Sequence, residues 1–313
     1  MKQKLILWIE DYLFFPNNFQ RIVSFFLLPI TFIYIFIIII KRIFSKKIDF
    51  GIPIISIGNL IIGGSGKTPI TIKLASKYNN TCIILRGYGR FSKGLQLVSL
   101  RGKILTDVKT SGDEAMLLAQ SLPNSSVIVS ENRVEAIHKA KELGAKLIFL
   151  DDGFSKYNIL KFDILLKPKI DPTNIFCIPS GGYREPRSFY KYSDLIFQEG
   201  IEFRRVVTIK KDEKTVSLPQ KCILLTAISK PKRLLEFLPD NIEMLSYPDH
   251  YTFTNDDIYN ILKRYSDFAI VTTRKDFVKL KEFNLENIFL MDLSIEFDNK
   301  ISFDKLELYI NKY

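Results

Sequence analysis

"GNLIIGGSGKTPI" occupies Gly58–Ile70 and ends like a phosphate-binding loop of the form G-x-x-x-x-G-K-[ST]. Gly66, Lys67 and Thr68 match that end, while Ile61 stands where the first glycine belongs. Upstream, "IPIISIG" reads as a buried strand, and downstream "PITIKLASKY" reads as a helix. A glycine loop between a strand and a helix N-terminus turns several N–H groups toward one point, where the helix dipole also favours an anion. Gly63, Gly64 and Gly66 let the backbone approach phosphate oxygens, Lys67 has the reach for the β- and γ-phosphates, and the Thr68 hydroxyl suits Mg²⁺. The competing reading is a glycine-rich turn with a surface lysine. The strand and helix on either side favour a nucleotide site, with Pro69 placed in the first helical turn where no N–H is needed.

The same alternation continues outward. "TCIILRGYG" and "SSVIVS" read as strands, and "ENRVEAIHKAKELGAK" as a helix capped by Asn132 and stopped at Gly144. "KLIFLDD" then places Asp151 and Asp152 at the carboxyl end of a buried strand, the edge at which doubly wound sheets bind ligands. Beyond "IPSGGYREPRSFYKYSDLIF" the pattern weakens into the basic stretch "RRVVTIKKDEKTVSLPQK", a β-ribbon or linker. A second series follows: "CILLTAIS", a helix near "PKRLLEFL", "IEMLSYP", a helix near "NDDIYNILKRYS", and "FAIVTT". The fold class expected is α/β, with a P-loop NTPase-like parallel-sheet domain over residues 48–204, a smaller α/β domain over 205–313, and an N-terminal membrane-associated helix within 1–47.

That N-terminal expectation rests on "IVSFFLLPITFIYIFIIII", which runs from Ile22 to Ile40 without a charge and is followed by Lys41, Arg42, Lys46 and Lys47. At about 1.5 Å per residue its length approaches the roughly 30 Å hydrocarbon core of a bilayer. A buried core helix is the alternative, and Pro29 points to a kink or a shallow interfacial placement. The basic residues after the segment keep the rest of the chain on the cytoplasmic side. The net charge of +11 suits an anionic partner. Basic residues are scattered, and no zinc finger or aromatic RNA-binding motif accompanies them, so a nucleic-acid partner is not expected. Cys82, Cys177 and Cys222 are odd in number and lack metal-ligand spacing, which fits a reducing compartment.

Phosphoryl transfer needs carboxylates to hold Mg²⁺ and to orient the attacking hydroxyl. "SGDEAMLLAQSL" places Asp113 and Glu114 where a helix begins, and Asp151 with Asp152 form a second acidic pair. Each pair alone also reads as helix-dipole or loop acids. Of two histidines, His138 lies among lysines mid-helix, whereas His250 in "YPDHYTF" lies in a polar loop like a site residue. Arg184 and Glu185 in "GGYREPRS" offer a fork for an anionic oxygen and an acceptor for sugar hydroxyls, or form a surface ion pair.

With "ISIGNLIIGGSGKTP", "LRGYGR", "SGDEAMLLA", "ENRVEA", "IFLDDGF", "IPSGGYREP", "YPDHYTFT" and "VTTRKDFVKL" in this order, the sequence resembles the tetraacyldisaccharide 4′-kinases, the lipid A kinase family of Gram-negative bacteria. The resemblance implies an enzyme of the inner membrane, facing the cytoplasm, that moves the γ-phosphate of ATP to the 4′-hydroxyl of an acylated glucosamine disaccharide 1-phosphate. It implies ATP binding by Ile61, Ile62, Gly63, Gly64, Ser65, Gly66, Lys67 and Thr68. Asp113 corresponds to the proposed general base with His250 as its partner. Thr68, Glu114 and Asp152 would serve Mg²⁺, and Asp151, Arg133, Arg184 and Glu185 would position phosphates or the disaccharide. A membrane-tethered P-loop ATPase or GTPase switch is the alternative, although "TTRKD" puts Lys275 one position too late for a guanine-reading motif.

Overall fold

The computed structural model describes residues 2–63, 66–228, 231–249 and 251–313. Along the chain come α1 (Lys2–Phe14), α2 (Asn18–Phe26), α3 (Leu28–Ile43), β1 (Ile54–Asn59), α4 (Lys67–Ala75), β2 (Thr81–Leu85), β3 (Gln96–Leu100) and β4 (Lys103–Ile104). Next are α5 (Val108–Ser111), α6 (Asp113–Ser121), β5 (Ser125–Val129), α7 (Arg133–Glu142), β6 (Leu147–Asp151), β7 (Phe162–Lys167), β8 (Leu195–Gln198), β9 (Phe203–Lys211) and β10 (Lys214–Thr215). The chain ends with β11 (Cys222–Thr226), β12 (Glu243–Ser246), α8 (Asn255–Arg264), β13 (Ala269–Thr273), α9 (Arg274–Leu280), β14 (Ile288–Phe297) and α10 (Asp304–Ile310). Segment 231–237, expected as a helix, is a 3₁₀ helix that packs Leu234, Leu235 and Phe237 into one core cluster.

Two compact units emerge, both discontinuous in sequence. The first comprises Met1–Lys67, Leu150–Phe203 and Phe297–Tyr313; the second comprises Thr68–Phe149 and Arg204–Glu296. In the first, β1 pairs in parallel with β7, and β7 in parallel with β8. β1 is buried along its whole length, which is why isoleucines occupy both of its faces, at Ile54, Ile55 and Ile57, rather than alternating with exposed polar residues.

The apolar N-terminal segment is two helices, not the single one its hydropathy suggests. α2 and α3 meet at Leu27 with a bend of 58°. Pro29 lies in the first turn of α3, where its missing N–H costs nothing; inside a continuous helix its ring would clash with the preceding turn. Among the described residues no single helix is long and apolar enough to cross a membrane, though the bent pair meets that test by length and composition. Its polarity is inverted. Gln20, Ser24 and Thr31 are buried, while Phe25, Phe26, Ile30, Phe32, Ile33, Phe36 and Ile37 are exposed. The inward polar groups are used: Gln20 donates to the Trp8 carbonyl at 3.0 Å, Ser24 donates to the Ser180 carbonyl, and Thr31 donates to Ser180 Oγ at 2.7 Å.

The second unit holds two sheets. In one the order is β4-β3-β5-β2, with β2 and β5 parallel and β3 antiparallel to β5. In the other the order is β10-β9-β14-β13-β11-β12, with β12, β11, β13 and β14 mutually parallel. The basic stretch read as ribbon or linker is an antiparallel hairpin of β9 and β10 in this sheet. Ile223, Leu225 and Ile270 pack toward α8, and Leu224, Val271 and Met291 pack with a separate cluster around Leu234, the two-sided burial expected of a parallel sheet.

The turn from β13 into α9 is organised by Asp276, which has no solvent exposure. It accepts from Thr226 Oγ1 at 2.9 Å, the Ala227 N–H at 3.0 Å and Thr273 Oγ1 at 2.8 Å, and it pairs with Lys279 at 2.9 Å. Removing one partner of a buried ion pair strands the other, so Asp276→Ala should lower unfolding stability by about 3–5 kcal/mol. The midpoint of urea unfolding checks this; an unshifted midpoint would show that Lys279 and the donors find other partners.

Candidate nucleotide and phosphoryl-transfer sites

In the first unit, the glycine-loop sequence is held by a strap from far along the chain. The Ile62 N–H donates to the Gly182 carbonyl at 2.8 Å, the Arg184 N–H donates to the Leu60 carbonyl at 2.7 Å, and Ile61 forms an antiparallel bridge with Tyr183. Ile61 is 6% exposed and packs with Leu60, Tyr183 and Phe154. The position of the missing glycine is therefore a β-paired core residue, where a side chain is useful and a left-handed backbone is not required. Gly63 and Gly66 have φ of 97° and 83°, a conformation glycine adopts without steric cost. The strap has its own glycine requirement: a Cβ on Gly182 would lie 2.4 Å from the Phe14 ring.

Arg184 joins strap, loop and β6. Its guanidinium grips Asp152 through both carboxylate oxygens, at 2.7 and 2.8 Å, and donates to the Asn59 carbonyl at 2.9 Å and to Asn59 Oδ1 at 2.5 Å. Burial works against the Arg184 charge, but the Asp152 carboxylate more than offsets it and raises the pKa further. Lys67 Nζ donates to Asn59 Oδ1 at 3.1 Å and lies 3.8 Å from Asp152. Asn59 Nδ2 in turn donates to the Ile61 carbonyl at 2.9 Å, at the start of the loop. Asp152 follows β6 with φ of 56°, an uncommon conformation that a short polar residue tolerates. Asp151 is buried beside it in sequence.

Glu185, the next strap residue, is buried among charges and rings. Burial pushes its carboxyl up to about 7, against the opposing effects of a hydrogen bond with Tyr157 and the charges of Arg184, Arg42 and Lys161. Arg42, in the last turn of α3, lies over four rings: Tyr192 at 3.9 Å, Tyr157 at 4.9 Å, Phe189 at 5.2 Å and Phe154 at 5.6 Å. The same helix reaches the strap a second time, where the Tyr34 hydroxyl donates to the Arg184 carbonyl at 2.6 Å.

The second unit carries the other acidic pair. Gly112, at φ of 84°, turns the chain into α6, whose first two residues are Asp113, buried, and Glu114, half-buried. Lys275 Nζ stands 3.7 Å from Asp113 Oδ2, 3.7 Å from Glu114 Oε1 and 3.2 Å from Asp249 Oδ1. Burial opposes the Lys275 charge, yet Asp113, Glu114 and Asp249 together raise its pKa. Arg133 is the first residue of α7, buried, with its guanidinium donating to the Ser130 carbonyl. Thr68 is the second residue of α4 and partly exposed.

Thus the first unit brings together Lys67, Asp152 and Arg184 around Asn59, which sequence reading passed over although it ends the strand before the loop. The second unit gathers Asp113 and Glu114 with Lys275, whose signal was the lysine spacing in "VTTRKDFVKL". His250, Gly64 and Ser65 lie outside the described residues.

Two tests follow from this geometry. Ile61→Gly restores the loop pattern but deletes a buried side chain, so it should cost about 2–5 kcal/mol of stability without tightening nucleotide binding; tighter binding would show that the isoleucine is a compromise. Glu185 is raised from its ordinary 4.5 to about 7 in the folded chain, so the folded state holds an extra proton between those values. Stability should fall as pH climbs through this window, by about 3 kcal/mol in all, and Glu185→Gln should flatten that slope. Parallel Tm-versus-pH curves for the two proteins would refute it.

The family described as tetraacyldisaccharide-1-P 4′-kinase, LpxK, matches residues 23–310. A tetraacyldisaccharide 4′-kinase of Aliarcobacter butzleri is 68% identical over 313 residues, covering all of both chains, and one of Helicobacter pylori is 44% identical over 307 residues, covering 98% of this chain and 96% of its own. A crystal structure of LpxK from Aquifex aeolicus in complex with ATP superposes with a TM-score of 0.75 at 28% identity, covering 93% of this chain and 99% of that one. The phosphate loop with an isoleucine at its first position, the strap that pairs with it and the acid pair opening α6 therefore sit in a chain that belongs to the tetraacyldisaccharide 4′-kinase family.

Proposed function

We propose that this chain transfers the γ-phosphate of ATP to the 4′-hydroxyl of a tetraacyldisaccharide 1-phosphate, at the cytoplasmic face of the inner membrane. The observation that carries the reading is the phosphate loop fastened by Arg184, Asp152 and Asn59, in a chain whose relatives are named for this reaction. Residues 48–204 serve as the ATP-binding region, 205–313 as a smaller α/β region and 1–47 as the membrane-facing segment.

ATP phosphates lie on the N–H groups of Ile61 to Thr68, with Lys67 neutralising the β- and γ-oxygens. Lys67 donates to Asn59 Oδ1, a neutral partner that gives up the ammonium at small cost. Among the described residues no group of three or more His, Cys, Asp or Glu side chains forms a metal cage. Mg²⁺ takes one or two carboxylates and completes its shell with phosphates and water. Thr68, Glu114 and Asp152 each carry a hard oxygen donor of the kind Mg²⁺ takes, and the ion when bound would neutralise charge on the transferring phosphate. Asp113 orients the 4′-hydroxyl and takes its proton, with His250 as partner. Arg133, Arg184 and Glu185, with Asp151, position the disaccharide and its phosphate.

The inverted α2–α3 pair supports the membrane placement. A soluble protein buries its phenylalanines and isoleucines and shows its serines and threonines; here the reverse holds, and the exposed apolar face matches hydrocarbon. Lys41, Lys46 and Lys47 beyond α3 suit anionic headgroups. A guanine-nucleotide switch is disfavoured because Asp276, the acid of "TTRKD", is wholly buried and committed to Thr226, Ala227, Thr273 and Lys279.

The test is transfer of labelled γ-phosphate to tetraacyl disaccharide 1-phosphate in detergent micelles. Wild type should show Mg²⁺-dependent transfer, and Asp113→Ala should lose about 10²-fold or more in kcat with ATP affinity little changed. ATP hydrolysis without transfer by the wild type would overturn the kinase reading; equal loss of ATP binding in the variant would overturn the role given to Asp113.

A further inference from the structure

α9 presents two lysines one turn apart, and both act beyond their own helix. Lys275 Nζ reaches Asp249 Oδ1 at 3.2 Å as well as the carboxylates of Asp113 and Glu114 at 3.7 Å. Lys279 Nζ donates to the Tyr251 carbonyl at 3.1 Å, pairs with Asp276 at 2.9 Å and lies 3.9 Å from Asp113 Oδ2. Their side chains are only 16% and 8% exposed. Two largely desolvated ammonium groups thus touch both the opening of α6 and the loop residues Asp249 and Tyr251.

Electrostatics explains why such a device is needed. Asp113, Glu114 and Asp249 converge on one point, and their like charges repel, most strongly at Asp113, which is buried while the other two are partly exposed. Lys275 is the cation at their centre. Lys279 is fixed in turn by Asp276, whose oxygens are held by β11 and by the start of α9, so the second ammonium is tied to the rigid sheet. Aromatic packing of Tyr247, Tyr251 and Phe253 shapes the loop but does not link it to α6.

We propose that Lys275 and Lys279 are positioning residues, a paired clamp that holds the loop residues Asp249 and Tyr251 to the Asp113 carboxylate. This rests on the reading of Asp113 as the group that takes the hydroxyl proton. The clamp acts through Asp113, so its loss reduces turnover and spares ATP affinity. The carboxylate separations of 3.7 and 3.9 Å are ion-pair rather than hydrogen-bond lengths, so the lysines fix Asp113 by charge.

Lys275→Met keeps most of the apolar stem and deletes the charge; Lys275→Arg keeps the charge. With the full-length enzyme in micelles, Lys275→Met should lower kcat about 30-fold while the ATP KM stays within about 3-fold. Amide hydrogen exchange over residues 247–253 should rise about 10-fold, and Lys275→Arg should restore much of both properties. A Met variant with normal turnover, or one that loses turnover while exchange over 247–253 is unchanged, overturns the clamp. If the Met variant does not fold, Asp249→Asn removes the loop end of the pair, and unchanged exchange there overturns it equally. An Asp113→Asn enzyme that keeps its kcat would remove the parent reading of Asp113, and the exchange measurement would still decide the clamp.

Discussion

One guanidinium ties together the segments that flank the glycine loop. Arg184 clasps Asp152 at the end of β6 and Asn59 at the end of β1, while its own backbone is paired with Leu60. A two-pronged contact fixes direction as well as distance, and at a half-buried site it is stronger than the same contact on an open surface. Asp152 is thereby kept in its left-handed conformation, a small strain that adjoining contacts compensate. Lysine could not replace this arginine, since a single ammonium lacks the planar fork that reaches two oxygens of one carboxylate and a third acceptor beyond it.

The strap also explains why the loop departs from its usual pattern. A first glycine is valuable where the backbone must take a conformation closed to other residues or must lie against phosphate. Here the backbone at Ile61 is a bridge partner of Tyr183, and the side chain fills space between Leu60 and Phe154. The pattern is missing at the position that sheet pairing occupies and present at Gly66, where the backbone turns left-handed as it also does at Gly63.

Much of this was legible in the sequence, because the relevant signals were local. The strand before the loop, the helix after it, Asn132 as a cap and the strand ending in Asp151 all come from patterns spanning fewer than a dozen residues, and each is present. What escaped were relations between distant segments. Nothing in "GGYREP" announces that it pairs with residues more than a hundred positions earlier. Nothing near Asp113 announces lysines from α9, whose even spacing reads equally well as a solvated face. Hydropathy saw a continuous apolar run through Leu27, because it sums side chains; the bend was signalled instead by Pro29, whose ring does not fit inside a continuous helix. Burial of Ser24 and Thr31 on the inner face was hidden in that sum: two small polar residues scarcely alter the average.

Arg42 ends α3 in a nest of tyrosines and phenylalanines rather than in water. Its neighbours Lys41, Lys46 and Lys47 carry charges that mobile ions screen within a Debye length of about 8 Å at physiological salt. A guanidinium lying on ring faces, with no room for counterions between, is much less exposed to that screening. Changing ionic strength should therefore loosen this chain from a charged surface without loosening α3 from the body that carries the phosphate loop.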